Sequence, residues 1–239
     1  MTRRVVEIDG GTVIAYGHYG RAVVAFPSEN GEVYDWEERG MVDAIGSLLE
    51  EGRVKLYCVP SFDRDSWTRG DLPLEERARR HGHYEWWLLT RLVPFVQSDS
   101  HTHELVATGA SFGAYHAANV CLKRADLFPV AICMSGVYDV SVQGGGERGE
   151  AVYFNNPMDY VAHMGGDHLQ WMRGHLSILL VCGQGRWEDT TGSLESTRQF
   201  AALLAGKGIR CELDLWGHDV AHDWPSWRAQ LAHHLPRFC

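Results

Sequence analysis

Ser111 stands between two glycines in Gly109-Ala110-Ser111-Phe112-Gly113, and two histidines, His218 and His222, stand in the late stretch GHDVAHDW. A pair of carboxylates, Glu188 and Asp189, precedes them in GQGRWEDT. A serine hydroxyl becomes a nucleophile when a histidine takes its proton and a carboxylate steadies the resulting imidazolium. The pattern G-x-S-x-G suits a serine on a sharp strand-to-helix turn, where bulky side chains two residues to either side would collide. The helix N-terminus after the serine adds partial positive charge for an anionic intermediate. The histidine pair also admits another chemistry, because a four-residue spacing on one helix face suits two metal ligands. That option is disfavoured: GHDVAHD reads as a loop, and no glutamate follows the first histidine as in H-E-x-x-H.

Such a site needs a strand to end at Ser111 and a helix to start there. HELVATGA is a near-continuous apolar run into Ser111, and FGAYHAANVCLKRADLF has helical spacing after it. The same alternation recurs along the chain. RAVVAFPSENG, VKLYCVPSFD, PVAICMSGVYD, LSILLVCGQG and RCELDLWG read as strands. MVDAIGSLLEEG, HYEWWLLTRLVPFVQ, LESTRQFAALLAGKG and DWPSWRAQLAHHLPRF read as helices. Buried strands alternating with helices predict an α/β fold, a mainly parallel central sheet with helices on both faces. Functional groups in such sheets collect at the carboxyl ends of the strands. The glycine- and aromatic-rich passage at about residues 140–175 interrupts the alternation and is expected to form a lid-like insertion in a single domain spanning 1–239.

In this arrangement the partners follow in the order serine, acid, histidine. The base is therefore expected after the last strand, RCELDLWG, where both His218 and His222 lie. His116 falls in the helix just after Ser111 and is expected to pack or hydrogen-bond there. The acid is expected after LSILLVCG, where Glu188 and Asp189 compete, with Asp139 after the preceding strand as a further candidate. Stabilising the tetrahedral oxygen takes two backbone donors. One is the N–H of Phe112, next to the serine. The other is expected near Ser28 or Glu29, since Pro27 has no N–H to give.

The stretch His222-Asp223-Trp224-Pro225-Ser226-Trp227-Arg228 resembles the H-x-W-x-x-W-R signature that closes the esterase D-like family of the α/β-hydrolase superfamily. GASFGAYHAANVCLKRADLFPVAICMSGVYD and HYEWWLLTRLVPFV are similar to other segments of that family, and the likeness covers about residues 20–238. The family includes S-formylglutathione hydrolases, feruloyl and siderophore esterases, and acyltransferases. The resemblance implies an α/β-hydrolase fold and makes His222 the base. Relatives with an acid directly after a tryptophan favour Glu188, while the family's more usual aspartate favours Asp189. Glu188 is the expected acid and Asp189 the alternative.

The implied activity is carboxylic-ester hydrolysis through an acyl-enzyme, without a cofactor. An acyltransferase with the same residues, or a catalytically silent hydrolase fold used for binding, are the alternatives. With 45% hydrophobic and 22% charged residues, the 239-residue chain has the composition of a globular domain. A net charge of −9 argues against a nucleic-acid surface. No window approaches the roughly 18 apolar residues of a membrane span. MTRRVVEIDGG lacks the apolar stretch of a signal peptide. The six cysteines form no C-x-x-C pair, and three lie in apolar runs, which points to reduced thiols and a cytoplasmic setting. The expected partner is a small-molecule ester, and homo-oligomer formation is left open.

Overall fold

The apolar runs fold into one sheet. The computed structural model describes residues 1–239 and gives that sheet eight strands. They are β1 (Arg3–Ile8), β2 (Gly11–Tyr16), β3 (Arg21–Phe26), β4 (Val54–Cys58), β5 (Val106–Ala110), β6 (Val130–Met134), β7 (Ser177–Cys182) and β8 (Arg210–Leu215). Their order across the sheet is β1-β2-β4-β3-β5-β6-β7-β8. β2 runs antiparallel to both β1 and β4, and every pairing from β4 through β8 is parallel.

Period-two alternation decides which face each side chain serves. β3 sends Ala22, Val24 and Phe26 into one core and Val23 and Ala25 into the other. The helices are α1 (Asp35–Glu38), α2 (Met41–Ala44), α3 (Gly46–Glu50), α4 (Leu74–Trp87), α5 (Val93–Ser100), α6 (Phe112–Lys123), α7 (Glu150–Asn155), α8 (Pro157–His163), α9 (Gly166–His175), α10 (Ser193–Gly206) and α11 (Trp224–His234). Tyr84 of α4, Ala117 of α6, Met172 of α9 and Phe200 of α10 cover the first face. Met41, Leu48 and Leu231, from α2, α3 and α11, cover the second. The strand at one edge, β8, is partly exposed and carries Arg210, Glu212 and Asp214, charges that discourage pairing with another chain.

Three elements differ from the pattern-based expectation. The β1–β2 hairpin is additional. Its cue is Asp9-Gly10 between alternating residues, with φ of 40° and 88° in the turn, but β1 is almost wholly exposed and makes no apolar run. MVDAIGSLLEEG forms two short helices broken at Ile45, where φ is −116° and ψ 17°. The helix expected from HYEWWLLTRLVPFVQ begins earlier, at Leu74, and passes through a π-helical turn at Leu88–Leu92. Pro94 lacks the N–H that would bond the carbonyl four residues back, and the widened turn before it absorbs that loss. Residues 140–175 form a 3₁₀ turn and α7 to α9. Leu169 and Met172 of α9 join the first core, and Val140 and Val152 pack in a cluster with Phe112. No helix is long and apolar enough to cross a membrane.

The corner between β5 and α6 is tightly constrained by backbone on both sides. A Cβ on Gly109 would sit 2.2 Å from the Gly113 carbonyl oxygen, and one on Gly113 would sit 2.4 Å from that of Pro27. Both obstacles are backbone, so neither can rotate away. Gly113→Ala is expected to cost on the order of 3 kcal/mol, the upper range for overpacking. For a chain of this size that is a melting temperature lower by about 6–12 °C, measured by calorimetry or circular dichroism.

Candidate active site

Ser111 occupies that corner with φ 55° and ψ −122°, a region that L-residues rarely adopt. Its N–H donates to the Met134 carbonyl oxygen at 2.8 Å, which ties the turn to the end of β6. Three further non-glycine residues with positive φ follow parallel strands of the sheet, Asn30 (55°) after β3, Ser135 (52°) after β6 and Trp187 (72°) after β7. Strain of this kind clusters where a fold must aim side chains rather than relax them.

His222 lies in the loop between β8 and α11. Its Nε2 is 3.1 Å from Ser111 Oγ and its Nδ1 is 3.0 Å from Glu188 Oε2. As a carboxylate Glu188 only accepts, so Nδ1–H donates to it and Nε2 is left to accept the serine proton. Glu188 is fully buried, and two more donors meet it. Ser135 O–H donates to Oε1 at 2.5 Å, and the Cys182 thiol lies 3.4 Å from Oε2. Burial pushes the Cys182 thiol strongly up, and the Glu188 charge adds to this, which keeps the sulfur protonated and donating. Ser135 is held in turn by Trp227 Nε1–H at 3.2 Å, and the Trp227 ring lies edge-on to the His222 imidazole at 5.0 Å.

The loops bearing the acid and the histidine are bonded to each other. Gln184 N–H donates to Gly217 O at 3.2 Å, Gly185 N–H to Val220 O at 2.9 Å, and His222 N–H to Arg186 O at 3.0 Å. Directly after His222, Asp223 caps α11 by accepting from Ser226 N–H at 3.0 Å.

The structure thus brings Ser111, His222 and Glu188 together and leaves the competing residues elsewhere. His218 is exposed, with Nδ1 3.2 Å from the Gln184 carbonyl oxygen. Asp189 is exposed and accepts from the N–H of Thr190 at 2.8 Å. Asp139 accepts from Ser141 and Asn156. Phe112 opens α6, so its N–H has no acceptor within the helix. Ser28 lies in the turn after β3, where Gly31 N–H closes back onto Ser28 O at 2.9 Å and Asn30 N–H is taken by Asp63 at 3.3 Å. With Pro27 lacking an N–H, only Ser28 and Glu29 in that turn have backbone donors to spare. A cavity of about 460 Å³ flanks this turn, lined by Asn30, Gly31, Asp63, Arg64 and the β1–β2 hairpin; neither Ser111 nor His222 lines it.

A family model described as "Putative esterase" matches residues 35–238. The chain belongs to this esterase family. No curated protein sequence matches it. Among solved structures, the esterase is similar to a ferulic acid esterase at 17% identity and a TM-score of 0.75, covering 99% of this chain and 98% of that one. It is similar to MPT51 (FbpC1) of Mycobacterium tuberculosis at 14% identity and a TM-score of 0.75, over 99% and 97% of the two chains. An S-formylglutathione hydrolase from Agrobacterium tumefaciens superposes at 14% identity and a TM-score of 0.71, over 99% and 92%. At such identities the likeness is one of fold, and the fold is that of the α/β-hydrolases. The family makes the chain an esterase, and its fold is the α/β-hydrolase fold.

Sequence reasoning about this esterase missed the groups around the acid. Ser135 and Cys182 only end apolar strands and carry no motif. The bond from Trp227 to Ser135 spans 92 residues, so no local pattern reports it. The one available cue was the second tryptophan of the W-x-x-W pair.

Proposed function

We propose that this esterase hydrolyses carboxylic esters through a Ser111–His222–Glu188 triad and a covalent acyl-enzyme. The observation that carries the proposal is the hydrogen-bonded chain from Ser111 Oγ through His222 to the buried Glu188. Ser111 Oγ attacks the ester carbonyl while its proton passes to His222 Nε2. The tetrahedral oxyanion is received by Phe112 N–H and by a donor at Ser28 or Glu29. As the C–O bond to the alcohol breaks, His222 returns the proton to the leaving oxygen and the acyl group stays on Ser111. Water then attacks the acyl carbon and gives its proton to His222. Collapse of the second tetrahedral intermediate releases the acid and restores the serine hydroxyl. Glu188 holds the imidazole in the tautomer this cycle needs and stabilises the imidazolium. Val140 and Val152 of the insertion form part of the wall behind Phe112. The buried free thiols fit a reducing, cytoplasmic compartment.

The test is mass spectrometry of the protein quenched during turnover of p-nitrophenyl acetate. An acetyl group is expected on the peptide containing Ser111, and acetylation elsewhere or nowhere would overturn the proposal. The acid assignment is tested by two amide substitutions. Glu188→Gln is expected to lower kcat by about 10³–10⁴-fold, because the amide no longer enforces the tautomer. Asp189→Asn is expected to stay within about 3-fold of the parent, as for an exposed side chain that contacts no reacting group.

A further inference from the structure

Acyl transfer as proposed leaves one buried pair unused. Asp63, in the 3₁₀ turn after β4, places Oδ1 3.0 Å from Nε2 of His116 on α6, with side chains only 1% and 2% exposed. The other carboxylate oxygen accepts from Asn30 N–H at 3.3 Å. Asn30 is itself left-handed, with φ 55°, and its side-chain oxygen accepts from Thr68 O–H at 2.6 Å. The His116 ring lies edge-on to Phe112 at 5.0 Å and stacks 6.0 Å from Phe26, the last residue of β3. One carboxylate and one imidazole therefore bridge α6 to the turn after β3.

Those are the two pieces that carry the oxyanion donors. Phe112 N–H comes from α6, and Ser28 or Glu29 N–H comes from the turn that Asn30 closes. We propose that Asp63 and His116 are positioning residues that set the gap between the two donors. The inference rests on the acyl-transfer reading of Ser111. Stability alone gives little reason for such a pair, since two buried, hydrogen-bonded polar side chains contribute no more than apolar residues of the same shape. Geometry gives a reason. An oxyanion donor displaced by about 1 Å forfeits on the order of 10²-fold in rate, and the strained Asn30 turn would relax without an acceptor for its N–H.

The test compares Asp63→Ala, Asp63→Asn and His116→Gln with the parent, using p-nitrophenyl acetate and an aryl trifluoromethyl ketone, which binds serine as a tetrahedral oxyanion. Asp63→Ala is expected to lower kcat by on the order of 10²-fold, with KM within about 3-fold, and to weaken the ketone by the same factor as kcat. The shape of the kcat/KM pH profile should stay in place. Asp63→Asn keeps an acceptor for Asn30 and a polar partner for His116, and is expected to recover most of the loss. Rates are expressed per folded molecule, from active-site titration and circular dichroism. Folded Asp63→Ala with parental kcat and ketone affinity would overturn the proposal. If that variant does not fold, His116→Gln decides: a matched loss of kcat and ketone affinity supports the pair, and parental values overturn it. A parent that neither turns over the ester nor takes a fluorophosphonate on Ser111 would overturn the acyl-transfer reading and this inference with it, whereas an active parent with unchanged variants sinks the pair alone.

Discussion

Ser111→Ala is expected to lower ester turnover by about 10⁶-fold, down to what oxyanion binding alone sustains. The variant should also lose all labelling by a fluorophosphonate, which needs the Oγ nucleophile. The fold should survive, because Oγ makes no hydrogen bond other than that with His222 and the turn is held through the Ser111 N–H to Met134. A comparison with Ser111→Gly separates chemistry from backbone strain. Both variants are inactive, yet glycine relaxes at φ 55° where alanine cannot. Ser111→Gly is therefore expected to exceed Ser111→Ala in stability by about 1 kcal/mol, read from denaturant midpoints. Labelling of Ser111→Ala at the parental level would remove the serine from the mechanism.

The second large effect separates the two late histidines. His222→Ala is expected to lower kcat for p-nitrophenyl esters by about 10⁴–10⁶-fold, since both proton transfers pass through its Nε2. His218→Ala is expected to stay within about 3-fold, because its ring is exposed and its side-chain hydrogen bond goes to the Gln184 carbonyl oxygen at 3.2 Å rather than to a reacting group. Steady-state rates on the two purified variants suffice, and the reverse ranking would reassign the base.

Much of the fold was legible because parallel strands buried on both faces leave apolar runs with helical spacing between them. RAVVAF, VATGA and SILLVC became β3, β5 and β7 for that reason. The β1–β2 hairpin escaped because an exposed edge strand such as RRVVEI has no run to see, although its Asp9-Gly10 turn is a strong local signal. The break at Ile45 and the π turn before Pro94 escaped because hydrophobic spacing is blind to a single unmade backbone bond. At the site, order along the chain and the H-x-W-x-x-W-R likeness selected Ser111 and His222. Neither could separate Glu188 from Asp189. Adjacent residues point to opposite sides of a loop, and which side faces inward depends on the backbone of Trp187, whose φ of 72° no periodicity announces. The ring of donors on Glu188 was invisible for a related reason, since it is assembled from distant strand ends.

The ladder that bonds the Gln184–Arg186 loop to the Gly217–His222 loop divides the protein mechanically. Acid and base ride on one stiff plate, so their mutual distance is insulated from whatever happens to the turn after β3 or to residues 140–175. A change in either segment therefore acts on the pocket and the oxyanion donors and leaves proton transfer between Glu188 and His222 untouched. What the plate does not fix is its distance to the corner that carries Ser111, and there the Oγ to Nε2 contact of 3.1 Å has to be held by the sheet itself.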